Sequence, residues 1–326
     1  MNKFLKKSLL FFAVVVIVIF VLNLFQKEGF TYNTYFASTI DKHKLIDSIT
    51  SPAIILAGGS NLAFGIDSKE IEKASGMPVV NLGLNGALGL DFILNELKYS
   101  IKENDIVFLS VEYFLPQTGK YDFKKILANF YPPAHKFYNR NYLSELEFYL
   151  EYDHKIFKNI FSKNSVLFQK AALKTPENPI YSREAFNRNG DVISHLNQPN
   201  NKQLNDRSRM VYRYWEGINA INQFYDFART KNVTLFFVFP DYAASEYEKN
   251  KRAIAALESD LRKNLKAEII NSPGDLVFAD SCFFDTVYHL NKLGREQRTE
   301  KLIELIKTNT HIQSCIAKAV APMPAK

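Results

Sequence analysis

Three short segments, far apart in this 326-residue chain, carry the residue types of acyl transfer. Gly58-Gly59-Ser60-Asn61 follows one apolar run and Asn81-Leu82-Gly83-Leu84-Asn85-Gly86 follows a second. Asp285-Thr286-Val287-Tyr288-His289-Leu290-Asn291 lies near the end of the chain. Ser60 stands in a glycine-flanked turn after a strand. That setting exposes a nucleophilic oxygen and offers the backbone N–H to a developing negative charge. Gly83 and Gly86 let backbone amides approach a ligand with no side chain in the way. His289 supplies a base, and Asp285, four residues earlier, supplies the carboxylate that fixes its tautomer and stabilises its charged form. Alone, each segment reads as a tight turn or a capping histidine. In this order, at one edge of one sheet, they read as nucleophile, oxyanion donors and base.

Bringing them together requires a regular α/β alternation. Ala53–Ala57 is a continuous apolar run, as expected of a strand covered on both faces. Asp67 to Glu70 opens a short helix that Gly76 and Pro78 end. Val79–Leu82 reads as a second strand and Asp105–Val111 as a third. Between them Leu90, Ile93, Leu94, Leu97 and Ile101 share one helical face. From Met210 the spacing predicts a helix through Arg229, a strand over Val233–Phe239, a helix over 246–264 and a strand over Ala267–Ile270. A last helix runs from Lys292 to Lys307. Strands separated by helices predict a parallel sheet with helices on both faces, and sites beyond the carboxyl ends of its strands. Residues 116–205 interrupt the alternation with many aromatics, among them Phe130, Tyr131, Phe137, Tyr138, Tyr142, Phe148, Tyr149 and Tyr152. They read as a partly helical insertion or cap whose rings stack on sugars, pack internally or touch a membrane surface.

The N-terminus sets the address. Met1 to Lys7 is a basic lead, and Ser8 to Phe25 is an uncharged, mostly apolar run of 18 residues. As a helix that run is roughly 27 Å long, close to the thickness of a bilayer's hydrocarbon core. No small-x-small cleavage site follows it, so an uncleaved single-pass anchor in the cytoplasmic membrane is expected in preference to a cleaved signal peptide, lysines inside and the remaining chain outside. The net charge of +7 includes Lys3, Lys6, Lys7 and Lys27. Without them 37 basic residues face 34 acidic ones, which is no nucleic-acid footprint. Apolar residues make up 47% of the chain, enough for a real core. Cys282 and Cys315 either pair or remain two thiols, and the scattered histidines suggest no metal site. The expected organisation is anchor 1–27, stalk 28–51, α/β domain 52–310 containing the 116–205 insertion, and tail 311–326.

Over roughly residues 50–115 and 230–308 the pattern resembles the SGNH hydrolase superfamily, the GDSL-type esterases and acyltransferases. The resemblance implies a three-layer α/β/α, flavodoxin-like parallel sheet with four sequence blocks meeting at its carboxyl edge. It makes Ser60 the nucleophile, with Gly59 where the family usually has Asp. It also makes Gly86 an oxyanion amide, His289 the base and Asp285 its partner. The family usually places that Asp three residues before the His, so the spacing of four leaves Asp280 as an outside candidate. The third block departs most. Ser110-Val111-Glu112-Tyr113-Phe114 stands where the family has Gly-x-Asn-Asp, and Tyr113 falls near the oxyanion-donating Asn on an ungapped reading.

The variant third block, the anchor and His289-Leu290-Asn291 with Gly294 resemble a membrane-anchored branch that modifies envelope polymers. That branch includes alginate O-acetylation proteins and the protein that helps D-alanylate teichoic acids. The implied activity is O-acyl transfer, O-acetyl being the expected group, onto a cell-envelope polysaccharide through an acyl-serine. The branch implies no metal or cofactor and a multi-span membrane acyltransferase as donor partner. A simple esterase with water as acceptor, and a non-catalytic glycan-binding scaffold on a degenerate fold, are the alternatives.

Overall fold

The computed structural model describes residues 2–29, 33–148, 150, 178–201, 203–205, 207 and 209–320. Tyr149 and Tyr152 lie outside the described residues. In chain order the elements are helices α1 (Asn2–Gly29) and α2 (Ser38–Ser48), strand β1 (Ile54–Gly58), helices α3 (Ser60–Gly65) and α4 (Ser68–Ser75), and strand β2 (Val79–Asn81). Helix α5 (Leu90–Ser100), strand β3 (Ile106–Ser110), helix α6 (Tyr121–Phe130) and helix α7 over 142–148 follow. Then come α8 (Gly217–Arg229), β4 (Thr234–Phe237), β5 (Tyr242–Ala243), α9 (Ala244–Asn264), β6 (Glu268–Ile269), β7 (Val277–Phe278), α10 (Lys292–Thr308) and α11 (Thr310–Val320).

The chain divides into two compact units, Met1–Thr34 with Arg140–Asn178, and Tyr35–Asn139 with Pro179–Lys326. In the first, α1 is 28 residues long and leaves its described apolar side chains, such as Leu9, Phe12 and Ile17, exposed. Among the described residues no helix is long and apolar enough to cross a membrane. In α1 the described side chains end within the apolar run, at Val18 and Val21.

The second unit is α/β. Its five-stranded sheet has the order β2-β1-β3-β4-β6, and every pairing is parallel. Strands β1 and β3 are buried along their full length, as their unbroken apolar runs require. Helix α5 packs on α2 and α8, while α10 packs on α3, α4 and α11, giving helical layers on the sheet. Local signals end the elements where the sequence suggests. Asp67 caps α4 by accepting from the Glu70 N–H, and Gly76 closes it in the left-handed region at φ 69°.

Three expectations need correction. Residues 28–51 are not a free stalk, because α2 packs into the α/β unit with Lys42 and His43 buried. His43 bonds Glu96 of α5 at 2.9 Å and stacks on Tyr131 at 4.4 Å between centroids. A charged sequence with a weak apolar stripe concealed that burial. Residues 116–205 are not one insertion, since 116–139 and 179–205 belong to the α/β unit. Residues 310–320 form α11, with Ile312 and Ile316 buried in the core, where a tail was expected. Both cysteines are free.

Candidate active site

The strand order brings the Gly58, Asn81 and Ser110 segments together. Gly58 pairs with Ser110 and Leu56 with Asn81, so the residues just past the ends of β1, β2 and β3 emerge side by side. Ser60 begins α3 at the end of β1. The Gly83–Gly86 loop leaves β2 and is fastened from below. Lys42 Nζ donates to the carbonyls of Asn81, Gly83 and Gly190 at 2.7, 2.9 and 2.6 Å. Burial pulls the Lys42 ammonium down to about 7. Asn81 Oδ1 accepts the Gly83 N–H at 2.9 Å, and Tyr35 donates to the Leu84 carbonyl at 2.6 Å. Ser60, Asn85, Gly86, Glu112, Thr286 and Tyr288 line a cavity of about 520 Å³.

The Asp285–Asn291 segment arrives through the loop before α10. That loop is closed by a bridge between Phe283 and Leu290 and by the Phe284 N–H donating to the His289 carbonyl at 2.7 Å. The turn it contains makes the four-residue spacing work. The Tyr288 N–H donates to Thr286 Oγ1 at 3.2 Å, and His289 Nδ1 lies 2.8 Å from Asp285 Oδ1. With Nδ1–H donating to the carboxylate, Nε2 is the basic nitrogen. Tyr181 donates to the other carboxylate oxygen, Oδ2, and lies 3.3 Å from His289 Nδ1. Burial works to raise the Asp285 carboxyl, but the bond and charge of His289 and the Tyr181 hydroxyl outweigh it and hold it below its ordinary value.

The imidazole of His289 stacks on Phe64, with centroids 4.0 Å apart and planes 5° from parallel. Phe64 follows Ser60 by four residues on α3, and side chains at that spacing share a helix face. His289 is therefore tied to α3 one helical turn beyond Ser60. Two arginines of α10 hold these elements together. Arg295 donates to the Ile66 carbonyl at 2.7 Å, and Arg298 donates to the Asn61 carbonyl at 2.6 Å and to Ser110 Oγ at 3.2 Å. Arg298 also pairs with buried Asp241, whose carboxyl burial pushes up to about 7 against the pull of that arginine.

Beside Ser60 sits an acid to which the sequence assigned no role. A Cβ on Gly59 would overlap both carboxylate oxygens of Glu112, and one on Gly86 would lie 2.9 Å from Oε2. Oε1 accepts the Asn61 N–H at 3.4 Å, whereas Oε2 is buried without a hydrogen-bond partner. Tyr113 does not line the Ser60 cavity. Its ring packs on Phe239 and Tyr242, because its side chain follows the opposite direction along the strand exit. Asp280 is engaged elsewhere, accepting from Ser245 Oγ at 2.6 Å and from Arg207 at 3.1 Å. Glu112 and Tyr181 are the site residues that sequence reasoning missed. Tyr181 carried no signal, while Glu112 was visible as the acid two residues past β3. Among the described residues no group of three His, Cys, Asp or Glu side chains is placed to hold a metal ion.

No protein-family model matches the chain, and no curated protein matches it.

Proposed function

We infer that the chain is an SGNH-type serine acyltransferase, anchored in the cytoplasmic membrane through Ser8–Phe25, with its α/β unit outside. It transfers an O-acyl group, acetyl being the expected one, to a cell-envelope polysaccharide. A multi-span membrane acyltransferase serves as donor. The observation that carries this reading is the Asp285–His289 pair, 2.8 Å apart and stacked on the helix that begins with Ser60. The anchor rests on the apolar α1 side chains and the lysines that precede them.

In the first half-reaction His289 Nε2 takes the Ser60 proton as Oγ forms a bond to the acyl carbon. The carbonyl oxygen becomes an oxyanion facing the N–H groups of Ser60 and Gly86. Collapse breaks the bond to the donor's leaving group, which receives the proton from His289. In the second half-reaction a sugar hydroxyl gives its proton to His289, attacks the acyl-serine and releases Ser60, which recovers the proton. The same residues hydrolyse an ester if water replaces the sugar. A scaffold role is favoured by one observation, the acid beside the expected oxyanion position.

A fluorophosphonate probe followed by peptide mapping tests the nucleophile. The expected result is an adduct on Ser60 that disappears in Ser60→Ala while the folded domain persists. A folded wild type that stays unlabelled and still binds glycan establishes the scaffold reading. Partition of acyl groups between added glycan and water then separates transfer from hydrolysis.

A further inference from the structure

We propose that Glu112 acts in its neutral, carboxylic-acid form as a third oxyanion donor, its Oε2–H hydrogen-bonding the carbonyl oxygen of the acyl group under attack by Ser60. This rests on the serine acyl-transfer reading and goes beyond it, because that reading gives Glu112 no role.

Placement comes first. Ser110 pairs with Gly58 across β3 and β1, so two residues further on Glu112 stands level with Ser60. Its carboxyl group fills the space that a side chain on Gly59 would need, and it closes on Gly86. It is thus packed against the two segments whose amides face the oxyanion. Glu112 also lines the cavity that Ser60 and Gly86 share. One carboxyl oxygen is occupied by the Asn61 N–H, and the other is buried with no partner. A buried polar atom without a partner is uncommon in a folded protein, and this one belongs to a side chain that lines the cavity of Ser60.

Charge decides the form. An ionised carboxylate here would repel the oxyanion and would leave two acceptors facing each other. A carboxylic acid donates instead, and in the tetrahedral step it keeps its proton: the Ser60 proton goes to His289 while the Glu112 O–H only hydrogen-bonds the new C–O⁻. Burial pushes the Glu112 carboxyl up, more than its own backbone N–H, the Asn61 N–H, His289 and Arg298 pull it down. The other groups that sense its charge are Asp241, Tyr35 and Tyr288. Arg207, Arg209 and Arg213 line an adjoining cavity together with Glu112.

The test compares Glu112→Gln with Glu112→Ala, reading Ser60 acylation rate against pH. Gln keeps the shape and donates through its amide at every pH. It should retain acylation within about tenfold of wild type and lose the alkaline fall that ionisation of Glu112 imposes. Ala should lose about 10²–10³-fold, the cost of one oxyanion donor. Infrared difference spectra, without substrate, should show a carboxylic-acid C=O band in wild type that is missing in Glu112→Gln. That band should vanish with the same midpoint as the alkaline fall. Equal losses in Gln and Ala would assign the carboxylate a base or structural role and overturn the proposal. So would an Ala variant as fast as wild type, or a wild-type rate that stays level as pH rises, a readout that needs no variant. Ser60 labelling in parallel separates the failures: a labelled Ser60 with any of these results removes the Glu112 role alone. An unlabelled Ser60 removes both readings.

Discussion

His289 lies flat on Phe64, 4.0 Å from centroid to centroid, and Phe64 is fully buried one helical turn beyond Ser60. The contact ties the His289 imidazole to the helix that begins with Ser60. Tyr35 and Tyr181 pack on the same phenyl ring, at 6.4 and 5.6 Å. Phe64→Leu keeps an apolar filler but leaves a small cavity in a fully buried site and should cost about 1–3 kcal/mol of stability. The loss of the flat support should still slow acylation by up to about 10²-fold, the scale of a misplacement near 1 Å. Single-turnover rates and urea denaturation of the same variant check both halves.

Asp285→Asn should lower kcat about 10⁴-fold, because the amide holds His289 in the wrong tautomer. It should also change acid stability. The folded Asp285 carboxyl lies below its ordinary value, so its contribution is present above the unfolded value of about 3.9 and is lost as pH falls through the folded one. The wild type should therefore lose more stability than the variant on acidification below pH 4. Urea midpoints across that range measure the difference.

Tyr181→Phe removes the donor on Asp285 Oδ2 and leaves the His289 contact to that carboxylate intact. Hydrogen bonds to charged groups contribute about 1.5–3 kcal/mol, and a loss of that order is expected in denaturant titrations. Acylation should fall less than in Asp285→Asn. Equal activity losses in the two variants would place Tyr181 in contact with substrate.

Arg298 and Asp241 are both buried, and removing one partner strands the other. Arg298→Leu should cost about 3–5 kcal/mol, and combining it with Asp241→Asn should restore much of that. The folded Asp241 carboxyl is raised to about 7, so its contribution is complete below the unfolded value and is lost as pH rises through the folded one. In Arg298→Leu the opposing pull is gone and the carboxyl rises further. The deficit should then widen from pH 6 to pH 8, which denaturation at both values can read.

Gly59 and Glu112 compete for one space. Gly59→Ala should destabilise by about 1–3 kcal/mol through overpacking. In the Glu112→Ala background the same substitution should be close to neutral. A double-mutant cycle in urea reads the coupling, and additive losses would contradict the packing.

Much of this fold was legible because its signals are local. Continuous apolar runs gave β1 and β3, the spacing of Leu90 to Ile101 gave α5, and Asp67, Gly76 and Pro78 bracketed α4. The helix at 38–48 was missed because Lys42 finds its acceptors at Asn81, Gly83 and Gly190, none of them near it in sequence. Helix α11 was missed because its core face is short, Ile312 and Ile316 buried with Cys315 and Ala319 half-buried beside them.

By itself the sequence determined the parallel α/β alternation and the segments holding Ser60, Gly83–Gly86 and His289 with Asp285. Periodicity and turn chemistry are properties of neighbouring residues. Only the tertiary structure decided that Tyr181 bonds Asp285 and that His289 rests on Phe64. It also decided that Glu112, not Tyr113, stands beside Ser60. Those pairs are separated by 52 to 225 positions, and a contact across such a distance leaves no local periodicity or spacing to read. It exists because strand order brings the ends of β1, β2 and β3 to one edge, where burial and charge then set the character of each group.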